Sequence, residues 1–321
     1  MRRADAVRLL AAAGTVAGVR TAAFAQGLVP IRVGNVGVSD AGAESLYAQA
    51  TGVFKKYGLA AEVTGVSGGG AVIAAIVGGS LDIGFANVVS LAQAREHDIP
   101  VVALVDGAIY PGSHPDTLLV KARGSALRTG ADLAGKTVGV ATLNGSLQTC
   151  ASAWIDKNGG DARTVHFVEA AFGEMAAALK AGRLDAAMIS EPALSRDLVD
   201  VDVLGDPFFA VGPRWTIGVW VTSKAWAAAH PDVARQFVRA MIETAHWANA
   251  HHAETAQLLA GPSHIDIATF AQMTRSTYGD ALTAAMLQPQ IDAAFKYGGL
   301  KQPFDAHAIV ADAQPYWAGI R

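Results

Sequence analysis

Two facing α/β lobes, each a mainly parallel sheet flanked by helices, are the fold class this 321-residue chain predicts. The first observation behind it is a passage that occurs twice. Ala74-Ala75-Ile76-Val77-Gly78-Gly79-Ser80-Leu81-Asp82-Ile83-Gly84-Phe85-Ala86-Asn87 returns as Ala177-Ala178-Leu179-Lys180-Ala181-Gly182-Arg183-Leu184-Asp185-Ala186-Ala187-Met188-Ile189-Ser190. Both copies read as a helix end, a glycine, a Leu-Asp pair, a short apolar strand and a small polar residue. The second observation is the strand-helix alternation around each copy, the pattern of a parallel sheet. The third is length, which is too great for one small core and comfortable for two lobes of ordinary size.

In chain order, Arg2, Arg3 and Arg8 come before an uncharged run from Leu9 to Val19, and Ala23-Phe24-Ala25 supplies a small-x-small cleavage pattern. Residues 1–25 therefore read as an export signal. The apolar run is too short to span a bilayer, which needs roughly 20 residues. Arg2-Arg3 leaves Sec and twin-arginine export both open, and either route leads to the periplasm as a soluble chain.

Ile31 to Gly37 alternates as a strand, and Ser39-Asp40-Ala41-Gly42 offers capping oxygens for a helix running to about Tyr57 and ended by Gly58. Ala61 to Val66 follows as a strand, Ser67-Gly68-Gly69-Gly70 turns into a helix from Ala71 to Val77, and Leu81 to Phe85 is the third strand. The pattern restarts with a strand at 136–141, a turn from Thr142 to Ser146 and a helix to about Lys157. Thr164 to Val168, a helix from Glu174 to Ala181, Asp185 to Ile189 and Val201 to Leu204 complete the second lobe. Pro231-Asp232 opens a helix whose Val233, Phe237, Ala240, Met241, Thr244 and Ala248 form an apolar stripe. The remaining C-terminal chain shows no obvious strand and reads as a helical brace. Lobe 1 is expected from residues 26–110 plus 216–321, and lobe 2 from 116–208. The crossings at 108–115 and 208–215 are rich in Gly, Pro and aromatics.

Twenty-five basic against 28 acidic residues give a net charge of −3, which argues against nucleic acid as a partner. Cys150 is the single cysteine, so no internal disulfide forms; within its helix it reads as a small buried apolar side chain. His246, His251 and His252 are not spaced to share one helix face as metal ligands require. No cofactor or metal is expected.

In parallel α/β lobes, ligands sit beyond the carboxyl ends of the strands, where helix N-termini present unpaired N–H groups. Five such turns are legible: Ser39-Asp40, Ser67 to Gly70 and Asn87-Val88 from the first lobe, Thr142 to Ser146 and Ser190-Glu191 from the second. Ser, Asp and Asn there also serve as helix caps. Gly68-Gly69-Gly70 lacks the Lys and spacing of a phosphate loop. Tyr110, Phe208, Phe209 and Trp215 fall in or beside the crossings, where aromatics either pack a hinge or stack on a ligand. Glu191 either favours the helix opened by Pro192 or accepts hydrogen bonds from an amine or ring N–H. The competing reading is a serine hydrolase: Gly65-Val66-Ser67-Gly68-Gly69 matches G-x-S-x-G after a strand, with Asp185 and His264 as the acid and histidine it would need. Asp185, however, lies in the duplicated motif opposite Asp82, a structural place.

Together these residues resemble the solute-binding proteins of ABC importers, the nitrate/sulfonate/taurine-type group that also includes binders of thiamine-pyrimidine precursors. The resemblance runs from about Ile31 to Ala253. It rests on Gly52-Val53-Phe54-Lys55-Lys56-Tyr57-Gly58-Leu59, Gly79-Ser80-Leu81-Asp82-Ile83-Gly84, Asp132-Leu133-Ala134-Gly135-Lys136-Thr137-Val138-Gly139-Val140, and Gly182-Arg183-Leu184-Asp185-Ala186-Ala187 with Glu191-Pro192. Such motifs are specific for the family and not for the ligand. The resemblance implies a type II periplasmic binding protein clamshell with no catalytic residue, monomeric, delivering a small organic solute to an inner-membrane permease. A sensor protein as partner is the variant of that reading. It places Ser39, Asp40, Ser67, Gly68, Gly69, Asn87, Asn144, Ser146 and Glu191 at the ligand, with Trp215 facing an apolar part. Asp40 and Glu191 are at odds with a purely anionic ligand.

Overall fold

The computed structural model describes residues 27–36, 39–263 and 265–320. The expected export segment and His264 lie outside the described residues. The apolar, half-alternating first strand β1 (Val29–Val36) pairs in parallel with β2 (Leu59–Val66) and with β3 (Ile83–Asn87). Next comes β4 (Val101–Asp106), a wholly buried run, and then β5 (Ala108–Tyr110) in the first crossing. The second half contributes β6 (Thr117–Ala122), β7 (Thr137–Val140), β8 (His166–Glu169), β9 (Ala186–Ser190) and β10 (Val201–Gly205). Return strands β11 (Trp215–Thr216) and β12 (Gly218–Ser223) follow, and β13 (Thr277–Tyr278) ends the series.

The two five-stranded sheets share one topology. Their orders are β2-β1-β3-β12-β4 and, read from the matching edge, β8-β7-β9-β6-β10. In each, four strands run one way and the fifth is reversed: β12 is antiparallel to β3 and β4, and β6 is antiparallel to β9 and β10. The reversed strand is in each case the first long one after a crossing. The sheets are thus mainly parallel in direction, yet mixed because each return from a crossing inserts one antiparallel strand.

The duplicated passage explains the matching halves. Gly79 and Gly182 both adopt a left-handed conformation, with φ of 72° and 68°, which favours glycine. Leu81 then lies over Gly34 of β1 and Leu184 over Gly139 of β7; a Cβ on either glycine would meet the leucine Cδ1 at 2.5 or 2.7 Å. Asp82 Oδ2 accepts the Arg32 N–H at 2.7 Å, and Asp185 Oδ2 accepts the Thr137 N–H at 2.9 Å. Each Asp also donates its own N–H to the carbonyl of the same residue. A Leu seals each core and an Asp closes each parallel ladder at its amino end.

Three expectations differ. The helix read from Ser39 to Tyr57 breaks at Gly52, where φ is 78°, into Glu44–Ala50 and Val53–Lys56. β4 and β6 were not anticipated as strands. The C-terminal chain is not purely helical: β13 completes a three-stranded sheet, β11-β5-β13, built on the two crossings. The helix Pro231–Ala250 buries Phe237, Ala240, Met241, Thr244 and Ala248 of the expected stripe. The helix Ala284–Lys296 touches both halves. Its Leu287, Ile291 and Ala294 join the first lobe's core, while Gln290 Nε2 donates to the Ser146 carbonyl and Gln290 Oε1 accepts from Cys150 Sγ at 3.6 Å.

Candidate functional site

The carboxyl ends of both sheets converge on one cavity of about 140 Å³. From the first half come Ser39, Ser67, Gly68, Gly69, Phe85 and Asn87; from the second come Thr142, Ser146, Phe172, Ser190 and Glu191, with Asp116, Thr117 and Phe208 from the crossings or beside them. Asn87 caps the helix Val88–Glu96 by accepting the Ser90 N–H at 2.9 Å. Ser39 accepts the Gly42 N–H at 3.3 Å. The amino end of the helix Gly69–Val77 can approach Asn87 closely only because residue 69 is glycine, since a Cβ there would stand 3.0 Å from both Asn87 Nδ2 and Ser90 Oγ.

Ser146 begins the 12-residue helix Ser146–Lys157. Its Oγ is buried and has no hydrogen-bond partner, and the residue lines the cavity. A buried hydroxyl left unpaired costs about 1–3 kcal/mol. First-turn N–H groups of the same helix also lack intrahelical acceptors. The cavity lining there is the amino end of a helix.

The same half also brings acidic groups to the cavity. Glu191, 5% exposed, accepts the Ser195 N–H at 2.9 Å and the Ser195 hydroxyl at 2.8 Å. Burial raises its pKa above the ordinary carboxylate value, against hydrogen bonds from Ser195 and the Thr274 N–H. Asp116, 7% exposed, accepts from the Thr117 hydroxyl at 3.0 Å and from the Ser276 hydroxyl. Its pKa is raised as well, by burial first and with a contribution from the neighbouring Asp40 charge. Among the described residues no Lys, Arg or His lines the cavity.

Of the ten residues expected at a ligand, seven line this cavity: Ser39, Ser67, Gly68, Gly69, Asn87, Ser146 and Glu191. Asp40 does not. Its carboxylate turns away to take Nε and an η nitrogen of Arg275 at 3.0 and 2.8 Å, the Tyr47 hydroxyl at 2.8 Å and the Ser276 N–H at 2.7 Å. Asn144 stands at the rim, exposed and with φ of 55°, its carbonyl accepting from Gln93 Nε2 across the cleft at 2.9 Å. Trp215 is wholly buried against Tyr110 and Phe208, its Nε1 donating to the Phe208 carbonyl at 3.0 Å. Phe208 is the ring of that trio that reaches the cavity, and Phe209 is 59% exposed elsewhere. Asp116 escaped the sequence reading because it sits on a crossing without a helix to cap. The hydrolase constellation is not assembled among the described residues: Asp185 is held at the amino end of β9 by the Thr137 N–H and Lys136, the opposite end of that strand from the cavity that Ser67 and Ser190 line.

Residues 42–255 match the NMT1/THI5-like family. The chain belongs to that family. The taurine-binding periplasmic protein of Escherichia coli K12 is 28% identical over 203 residues, 61% of this chain and 60% of that protein, so the alignment spans well under two thirds of this relative. The alkanesulfonate-binding protein SsuA of Xanthomonas axonopodis pv. citri, solved with MOPS, superposes with a TM-score of 0.71 at 20% identity, covering 87% of this chain and 97% of that one. The periplasmic nitrate-binding protein NrtA of Synechocystis PCC 6803 superposes with a TM-score of 0.74 at 13% identity, covering 92% and 89%. At such identities the structures show a shared fold, that of the two-lobed periplasmic binding proteins. No helix among the described residues is long and apolar enough to cross a membrane.

Proposed function

We propose that this NMT1/THI5-like chain is the solute-binding component of an ABC importer, holding a small organic solute between its lobes and presenting it to a permease. The supporting observation is Ser146, a residue at a helix N-terminus that lines a cavity shared by both sheets and whose buried Oγ has no hydrogen-bond partner. Such a group is tolerated where a ligand completes its hydrogen bonding. The ligand set we propose is Ser39, Ser67, Gly68, Gly69, Asn87, Ser146 and Glu191, joined by Asp116, Thr117 and Phe208. Binding draws the lobes together by selecting the closed arrangement, and closure is what a membrane partner reads.

A thermal-shift screen of small metabolites, followed by calorimetry on each hit, tests the reading. A true ligand raises the melting temperature in a concentration-dependent way. If none of a broad set of sulfonates, carboxylates and pyrimidines stabilises the protein, the receptor assignment fails.

A further inference from the structure

We propose that Asp116 and Glu191 form a two-carboxylate subsite that selects ligands carrying a protonated amine or an N–H-bearing ring and rejects simple anions of the same size. The inference rests on the receptor reading of this cavity and names the class of solute it takes.

Charge balance carries the argument. Three carboxyl groups are buried at or just behind the cavity: Asp40, Asp116 and Glu191. Arg275, the buried cation beside them, is spent on Asp40 through two hydrogen bonds, with further bonds to the Tyr47 hydroxyl and the His252 carbonyl. Asp116 and Glu191 receive only neutral donors, the hydroxyls of Thr117, Ser195 and Ser276 and the N–H groups of Ser195 and Thr274. A carboxylate offers about four acceptor positions, so both retain lone pairs. Both line the same space, in contact through the Glu191 N–H, which donates to the Asp116 carbonyl at 2.8 Å.

A buried charge without a counter-charge is costly. The direction in which both carboxyls titrate agrees: burial pushes each one up, as expected of acids that lack a cation. A protonated amine supplies that cation, and a neutral ring N–H supplies a donor for the free lone pairs. Phe85, Phe172 and Phe208 border the same space and suit an ammonium or a flat ring. Elsewhere in the lining, Ser146 at its helix N-terminus suits an acceptor group. A bare anion finds Ser146 but meets two carboxylates with nothing to offer them. The fitting ligand is therefore bipolar, with its nitrogen toward Asp116 and Glu191.

Matched pairs that differ by one amine decide the matter: taurine against ethanesulfonate, β-alanine against propionate, and 4-aminopyrimidine against pyrimidine, each titrated calorimetrically alongside the hits of the metabolite screen. In wild-type protein the aminated member is expected to bind at least about tenfold more tightly. In Asp116→Asn and Glu191→Gln that preference should shrink by a similar factor, whereas Ser146→Ala should weaken aminated and deaminated members alike. The wild-type comparison needs no variant to fold. If the deaminated members bind as well or better, or if the screen returns only nitrogen-free anions, the subsite is overturned while the receptor reading stands. If no solute binds at all, the receptor reading falls and takes this inference with it.

Discussion

At the scale of single residues, Ser146 and Glu44 are opposite cases of a buried polar atom without a partner. Ser146 lines the cavity and its buried Oγ has no partner, so Ser146→Ala should leave the ligand-free protein as stable as before or slightly more so. The same change should cost about 0.5–1.5 kcal/mol of ligand affinity, roughly three- to tenfold, readable as a smaller thermal shift at equal ligand concentration. Glu44 sits inside the first lobe with one oxygen accepting from Trp220 Nε1 at 2.7 Å and the other unpartnered. Burial pushes its pKa well above the carboxylate range, outweighing the Trp220 bond, and nearby Asp106 is pushed the same way by its own burial. The folded state therefore keeps a proton on Glu44 that the unfolded chain gives up near pH 4.3. Its contribution to stability is complete below that pH and declines as pH rises toward the folded value. Glu44→Gln should melt with wild type near pH 4 and several degrees above it at pH 7.5. Equal melting temperatures at both pH values would show that Glu44 is not held protonated. Asp40 teaches the related lesson about reading such residues from sequence. As a helix-opening acid near a cleft it looks like a ligand group, and only the fold shows that Arg275, 235 positions later, claims it.

At the scale of elements, the repeated Leu-Asp unit makes equivalent two glycines that lie in different lobes, each preceded by valine. Gly34 and Gly139 lie under Leu81 and Leu184, and an added Cβ would stand 2.5 or 2.7 Å from the leucine Cδ1. Gly34→Ala and Gly139→Ala should each destabilise by about 1–3 kcal/mol through overpacking, measured by urea unfolding. Combining each with the shortened partner, Leu81→Ala or Leu184→Ala, should recover less than additively, since a cavity then replaces the clash. Two variants that differ widely from one another would argue that the units are not energetically alike. The unit was legible because all its parts are local: a helix end, a positive-φ glycine, one apolar residue and one acid within a few positions. Turns ending β2, β3 and β9 were legible for the same reason, and their Ser67, Gly68, Gly69, Asn87 and Glu191 do line the cavity. β6, β12 and β13 owe their places to partners far away in the chain, and the reversed direction of the first two leaves no mark on a short apolar run. Trp215 was misplaced on similar grounds, because which ring of a crossing faces the cleft depends on how β11 pairs with β5.

At the scale of the whole molecule, polar contacts bridge the lobes across the cleft, and under the proposed closure they oppose its opening. Gln93 Nε2 donates to the Asn144 carbonyl across the cleft and to the Gly299 carbonyl, each at 2.9 Å, joining the first lobe, the second lobe and the C-terminal segment at one point. Gln290 makes a weaker bridge to the Ser146 carbonyl at 3.4 Å. Behind them the β11-β5-β13 sheet ties both crossings to the C-terminal chain in a short paired ribbon. Under the proposed opening and closing of the lobes, rotation about this ribbon would separate Gln93 from Asn144. Neither residue lines the cavity, so Gln93→Ala removes no ligand contact. It should nonetheless cost the closed arrangement about 0.5–1.5 kcal/mol, the worth of a typical hydrogen bond. The apparent affinity for any ligand that requires closure then falls by the same factor, about three- to tenfold, through a smaller closed population. In small-angle scattering the ligand-free variant should have a larger radius of gyration than wild type, and saturating ligand should erase the difference. Weaker binding with unchanged scattering would place the loss inside the cavity instead, and would mean that the Gln93 bridge does not govern the opening of the lobes.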